Sequence, residues 1–308
     1  MWGQYAQRLG ESTLIKASEL IALFWVAINE IWGYIWGTAG KQWTQALQNQ
    51  KINYMVKNFG SDWKTDSEAK KNKYYYSALY GAKWIGHMVA DCSGLFAWAF
   101  AKLGGAIAHG SNSIWDRYCT SKGKLSGGKR TDGMELKPGT AVFVNKSGSD
   151  RTHIGLYVGD GTVIEAASAQ KGVITSTITD KKWVEWGELK NVEYDGTPLP
   201  DVKPVLKKGD QGRYVTLAQT ELIQKGYSCG SYGADGKFGS ATEAAVKEFQ
   251  TDYQINPTGI INQETWEALD SVTPATNLYT VSIPHLTYYK AEALVKQYAG
   301  SSMIEEGR

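Results

Sequence analysis

From residue 140 to residue 189 the chain keeps a period of two. In TAVFVNK (140–146), HIGLYVGDGTVIEAAS (153–168), GVITSTIT (172–179) and WVEWGEL (183–189), apolar residues alternate with polar or small ones. That spacing gives strands rather than helices. Gly159-Asp160-Gly161 interrupts the second segment and folds it into a hairpin. Just upstream, residues 93–103 are apolar almost all round and stop at Gly104-Gly105, as a buried central helix should. A helix followed by a run of antiparallel strands makes this part of the chain α+β.

A thiol stands at the start of that helix. Cys92 lies between Asp91 and Ser93, at the first turn. Unpaired N–H groups and the positive end of the helix dipole there favour thiolate over thiol. The thiolate is the nucleophilic form, and the same N–H groups can receive an oxyanion. A structural cysteine is more at home in mid-helix.

Such a nucleophile needs a base. His87 and His109 lie in short segments on either side of the helix, and His285 lies in the C-terminal tail. His153 opens the hairpin, where a rigid strand can face a helix end. If residues 159–161 form a three-residue loop, Val158 faces Thr162 and His153 faces Ala167. Glu165 then lies on the same side as His153, one diagonal step away, where a carboxylate can hold the imidazole tautomer. A two-residue loop would put Glu165 on the other face. Without the cysteine, His153 and Glu165 would read as an ordinary cross-strand polar pair.

The rest of the chain is organised around this unit. Residues 12–35 read as one long helix, with Leu14, Ala17, Ile21, Phe24, Ile28, Ile31 and Ile35 in a single stripe. The stripe either packs on its own domain or forms a self-association seam. A second helix follows in KQWTQALQNQKINYMVKNF, closed by Gly60, and SDWKTDSEAKKNKYYYS looks like a surface excursion. Residues 121–139 read as a polar, glycine-rich loop. Pro198, Pro200 and Pro204 mark a linker over 193–204, so a first domain spans 1–192. An all-helical unit covers 205–271. In it, Ser240 and Glu243 form a capping box, Asn262 caps a third helix, and GKFGSAT and GIINQET make a small repeat. The tail 272–308 reads strand, helix, strand.

Totals narrow the function. A net charge of +2 over 308 residues argues against a nucleic-acid binder, and 42% hydrophobic residues against a disordered chain. Three widely spaced cysteines form no zinc or disulfide pattern, so neither metal nor cofactor is expected. The most apolar run, LIALFWVAI, is too short to span a bilayer. The first residues lack the pattern of a signal peptide. The expectation is a protein made in the cytoplasm and released to its target when a membrane is breached.

ADCSGLFAWAF followed by HIGLYVGDGTVIEA resembles the NlpC-type family of bacterial cell-wall cysteine peptidases. The likeness covers residues 85–190 and extends to YIWG at 34–37. It implies a papain-like fold, with Cys92 as nucleophile, His153 as base and Glu165 in place of a third polar residue that is usually histidine. It also implies that Asp91, Ser93 and Tyr34 contact the stem peptide. LKKGDQGRYVTLAQTELIQKGY, DGKFGSAT and AAVKEFQ resemble the three-helix peptidoglycan-binding domain, which nominates Asp235, Phe238 and Thr242 as wall contacts. Together the two resemblances imply an endolysin-like peptidoglycan hydrolase. The bond expected to be cut is the one between D-Glu and the diamino acid. The alternatives are an amidase with the same residues, a wall-binding protein without activity, and a transferase in which an amine resolves the acyl-enzyme.

Overall fold

The structure, a computed structural model, describes residues 14–180, 182–196 and 203–271. The expected strand–helix–strand tail at 272–308 lies outside the described residues, as does the middle of the linker.

Strand β1 (Ile15–Lys16) leads into helix α1 (Ala17–Asn29). Strand β2 (Ala39–Gln42) precedes α2 (Gln45–Phe59), α3 (Ser67–Lys71) and α4 (Tyr75–Tyr80). Then come β3 (Met88–Ala90), α5 (Cys92–Lys102) and α6 (Ser111–Tyr118). The strands that follow are β4 (Cys119–Ser126), β5 (Lys129–Arg130), β6 (Ala141–Ser147), β7 (Asp150–Gly159), β8 (Thr162–Ser168), β9 (Gly172–Thr177), β10 (Glu185–Leu189) and β11 (Val192–Glu193). Helices α7 (Arg213–Gln224), α8 (Ser240–Asp252) and α9 (Gln263–Asp270) complete the described chain.

Seven strands form one antiparallel sheet in the order β5-β4-β10-β6-β7-β8-β9. The period of two divides its side chains between the faces. Phe143, Ile154, Leu156, Ile164 and Val173 point to the helices and join Leu20, Phe24, Phe96 and Phe100 in the main core. Val142, Val163, Trp183 and Trp186 cluster on the opposite face. Helices α1 and α5 meet through Phe24 and Phe96, edge to face at 4.9 Å.

Two sequence expectations are corrected. The 12–35 stripe is not one helix. Helix α1 ends at Asn29, Ile31 takes a φ of 54°, and Gly33 pairs with Val89 of β3. Gly33 is required there, because a Cβ would fall 2.4 Å from the Trp84 ring. Ile35 is buried among Trp43, Trp84 and Val89, so its place in the stripe comes from burial on a different partner, not from helical geometry. Ala17, Ile21, Phe24 and Ile28 are buried inside the molecule, so this part of the stripe packs on its own domain.

The expected loop at 121–139 contains β4 and β5. Six of the eight β4 residues face solvent or lie half-buried, so the apolar alternation that identifies a strand is missing. Gly123 lets the Trp186 indole lie across the strand, at 2.9 Å from where a Cβ would stand.

The helical unit is held by a repeated device. Gln219 donates to Thr242 Oγ1 (3.0 Å) and to the Lys237 carbonyl (3.1 Å), and it accepts from Gly236 N (2.8 Å). Gln250 does the same with Thr265 Oγ1 (3.0 Å), the Ile260 carbonyl (2.8 Å) and Gly259 N (2.9 Å). The sequence repeat is thus a structural one, built around two buried glutamines. Asn262 caps α9 by accepting from Thr265 N at 2.9 Å, as expected. The capping box does not form: Gly239 is the N-cap of α8 and Ser240 is already helical.

This unit packs on the first. Asp210 accepts from Thr175 N (3.1 Å) and Lys207 N (2.7 Å), Gln211 N donates to the Thr175 carbonyl (3.0 Å), and Lys207 Nζ reaches the Val173 carbonyl (2.8 Å). The contacts cover β9, the edge strand, whose open N–H and C=O groups would otherwise invite foreign pairing. Trp25 and Tyr214 meet edge to face at 5.6 Å. Asp210 is fully buried. Asp210→Ala leaves two buried N–H groups unmatched, so the protein should lose about 1–3 kcal/mol of stability, read as a lower denaturant midpoint. An unchanged midpoint would mean that the carboxylate does not hold the two units together.

Candidate active site

Strand β3 delivers the chain to α5 at Asp91, which is extended and caps the helix by accepting from Gly94 N at 2.7 Å. Cys92 is the first helical residue. Gly94 is required, because a Cβ would lie 1.9 Å from the Thr38 carbonyl oxygen. That close approach lets the Asp91 carboxylate take a second loop: Gly37 N donates to its Oδ2 at 2.8 Å. Ser93 Oγ donates to Oδ1 at 3.1 Å, and His109 Nε2 lies 2.9 and 2.8 Å from the two oxygens. Asp91 and Ser93 are therefore buried and saturated by protein groups. Both side chains fix the helix start.

The hairpin brings the histidine to the thiol. Its loop has two residues, Asp160 and Gly161, both at positive φ. Val158 is an extra residue in β7, since Tyr157 pairs with Val163 and Gly159 with Thr162. Away from the bulge, Leu156 faces Ile164, the register expected of a three-residue loop. The bulge therefore restores the face that a two-residue loop would have lost. His153 Nε2 lies 2.6 Å from Glu165 Oε2, and the Cys92 thiol is near enough to raise the ring's pKa. With Nε2 held by the carboxylate, Nδ1 is the nitrogen left for sulfur. Cysteine, imidazole and carboxylate are thus neighbours in one site.

Residues 71–188 match the model of the NlpC/P60 family, a span that contains Cys92, His153 and Glu165. The chain carries an NlpC/P60 domain. Residues 211–269 match the model of a putative peptidoglycan binding domain. Among curated proteins, a probable N-acetylmuramoyl-L-alanine amidase of Bacillus licheniformis is 35% identical over 94 residues, 30% of this chain and 27% of that protein. A probable endopeptidase of Mycobacterium bovis is 32% identical over 78 residues, 25% of this chain and 17% of that protein. The chain thus spans less than a third of the length of these relatives. Among solved structures, the NlpC/P60 domain of the peptidoglycan hydrolase SagA aligns at 14% identity and a TM-score of 0.33, covering 56% of this chain and 98% of that one. The peptidoglycan hydrolase RipB of Mycobacterium tuberculosis aligns at 19% and 0.26, covering 58% and 83%.

The electrostatics of the NlpC/P60 domain separate its thiols. Cys119 is buried, and burial pushes it up to about 12. In the helical unit, Cys229 is also buried and shifted up by burial. Cys92 alone of the three is half-exposed and faces an imidazole. Burial by itself would lower the pKa of His153. The hydrogen bonds and negative charge of Cys92 and Glu165 outweigh it and raise the value to about 9. Burial likewise works to raise Glu165, but His153 and Lys182 hold it down at about 2. The Tyr34 phenol is shifted up by burial and by the charges of Cys92 and Asp91.

Two participants escaped the sequence. Lys182 Nζ bonds Glu165 Oε1, so the carboxylate is shared between an imidazole and an ammonium. Trp183 stacks on His153 with ring centres 5.7 Å apart, in space that Gly155 leaves open. Only the run KKW before a strand hinted at either. His109 is the other surprise: it binds Asp91 rather than lying free in a loop. His87 packs its ring edge to face with Trp84, and His285 lies outside the described residues. Of the nominated wall contacts, Phe238 is 2% exposed within the core and Thr242 is 1% exposed, its hydroxyl held by Gln219. Neither reaches the surface. Asp235 does, while one oxygen accepts from Gln219 and Lys237 N.

The shifts set a pH window. His153 is raised, so its contribution to stability is complete below its unfolded value near 6.5 and is lost as pH rises through about 9. Glu165 is depressed, so its contribution is present above its unfolded value near 4.3 and is lost as pH falls toward about 2. Glu165→Gln removes the anion that holds the imidazolium. An NMR titration of the His153 ring should then show its pKa well below that of the parent protein. Equal values would dissociate the carboxylate from the ring's charge.

Proposed function

We propose that the chain is a thiol-dependent peptidoglycan hydrolase that cuts an amide of the stem peptide. The observation that carries this reading is a cysteine at a helix start beside an imidazole that Glu165 holds. The domain families point to the same polymer. The Cys92 thiolate attacks the amide carbonyl carbon, and first-turn N–H groups of α5 receive the oxyanion. The carbon–nitrogen bond breaks as His153 passes its proton to the departing amine. Water then attacks the thioester, His153 takes the water proton, and the thiolate leaves. Glu165 keeps the ring in one tautomer throughout. The helical unit raises the local concentration of enzyme at the wall, with Asp235 as the exposed member of its nominated contacts.

Within that class, the amide between D-Glu and the diamino acid is the proposed target. Mass spectrometry of digested wall decides the bond. Cleavage there frees the amine of the diamino acid, whereas an amidase frees the amine of L-Ala. Cys92→Ala should abolish clearing of purified wall. His153→Ala should cut the rate by about 10²–10⁴-fold, and Glu165→Gln by less. Full clearing by Cys92→Ala would leave only a wall-binding protein.

A further inference from the structure

Beside the helix start, rings and lysines share one face. Trp36 and Tyr54 are 37% and 39% exposed. Each meets Tyr74 edge to face, at 5.5 and 4.9 Å. Lys51 Nζ lies 3.9 Å above the Tyr74 ring, and Lys73 Nζ lies 4.6 Å from Trp36 and 5.3 Å from Tyr74. Lys51 and Lys73 thus share the Tyr74 ring, and burial with the charges of Lys73 and Lys41 shifts Lys51 down. None of the three pairs with a carboxylate among the described residues.

Two opposite requirements meet on this face. Like charges held close repel one another unless an anion joins them. Exposed rings with apolar faces are uncommon on a free surface unless something covers them. Tyr74 packs one side on a small core of Met55, Trp63, Ala69, Tyr75 and Ala78, but Trp36 and Tyr54 belong to no such cluster.

The face is also tied to the site through the backbone. The Trp36 amide donates to Ser77 Oγ at 3.0 Å, and the next amide, that of Gly37, donates to the Asp91 carboxylate. Lys41 sits in β2, paired with Val89 of β3, and β3 runs directly into Asp91 and Cys92. A polymer with its scissile amide at Cys92 has this surface as a neighbour.

We infer that Trp36, Tyr54, Tyr74, Lys41, Lys51 and Lys73 form a second subsite, which takes a sugar segment of peptidoglycan whose stem peptides carry free carboxylates. The sugar rings lie on the aromatic faces, and the carboxylates pair with the ammoniums. This deepens the proposed function and rests on it for the identity of the polymer.

Two measurements test the subsite. The first compares kcat/KM for a stem peptide linked to its disaccharide with kcat/KM for the free peptide. In a Lys51→Gln/Lys73→Gln variant with parental thermal stability, that ratio should fall by about fivefold. An unchanged ratio overturns the subsite. The second follows amide chemical shifts of Cys92→Ala protein as soluble disaccharide–peptide fragments are added, and it works without turnover. Shifts centred on Trp36, Tyr54 and Tyr74 support the subsite. Absence of shifts there, or equal shifts with inorganic polyphosphate at matched ionic strength, overturns it. A parent protein that cuts nothing, yet shows those shifts, would sink the hydrolase reading and leave the subsite standing.

Discussion

The Asp91 carboxylate is the point on which the site turns. It is buried and takes four donors: the Gly94 amide, the Ser93 hydroxyl, the Gly37 amide and the His109 ring. A buried carboxylate with fewer partners would be costly. With all of them, it joins the start of α5, the 34–40 segment and the 104–110 segment into one rigid corner. Cys92 follows it directly, so the thiol inherits that rigidity.

A second buried carboxylate balances the first from the sheet side. Glu165 is 1% exposed and divides its oxygens between His153 and Lys182. The imidazole gains charge from this carboxylate and from the thiol. The ammonium tempers that gain, because part of the carboxylate's charge is already neutralised. Trp183 then closes the ring on its far side. Thiol and base thus reach each other from elements with independent anchors, a helix cap and a strand ladder. Docking of the helical unit on β9 protects the other end of the same sheet.

Much of this was legible beforehand where a signal was local. Period-two segments gave the strands from 140 to 189, and the apolar run after Asp91 gave the central helix. The strand β4 was missed because its side chains are polar and its partner Trp186 covers a glycine. Ile31 and Ile35 were placed on a helix because burial on separate partners imitated its spacing. Phe238 and Thr242 were taken for wall contacts because a recurring motif does not say whether it recurs for binding or for folding. Here Gln219 and Gln250 use it for folding.

The sequence by itself determined which residues could do chemistry: a cysteine at a helix start, and a histidine and a glutamate on one hairpin. Their backbone positions follow from periodicity and from turn residues a few places away. Only the tertiary structure decided that they meet. The face of Glu165 depended on a single extra residue, Val158, offsetting a two-residue turn. The partners of Asp91 and Glu165 lie 54, 18 and 17 positions away in the chain. Such pairings depend on how whole elements pack, and no local pattern of side chains encodes the distance between them.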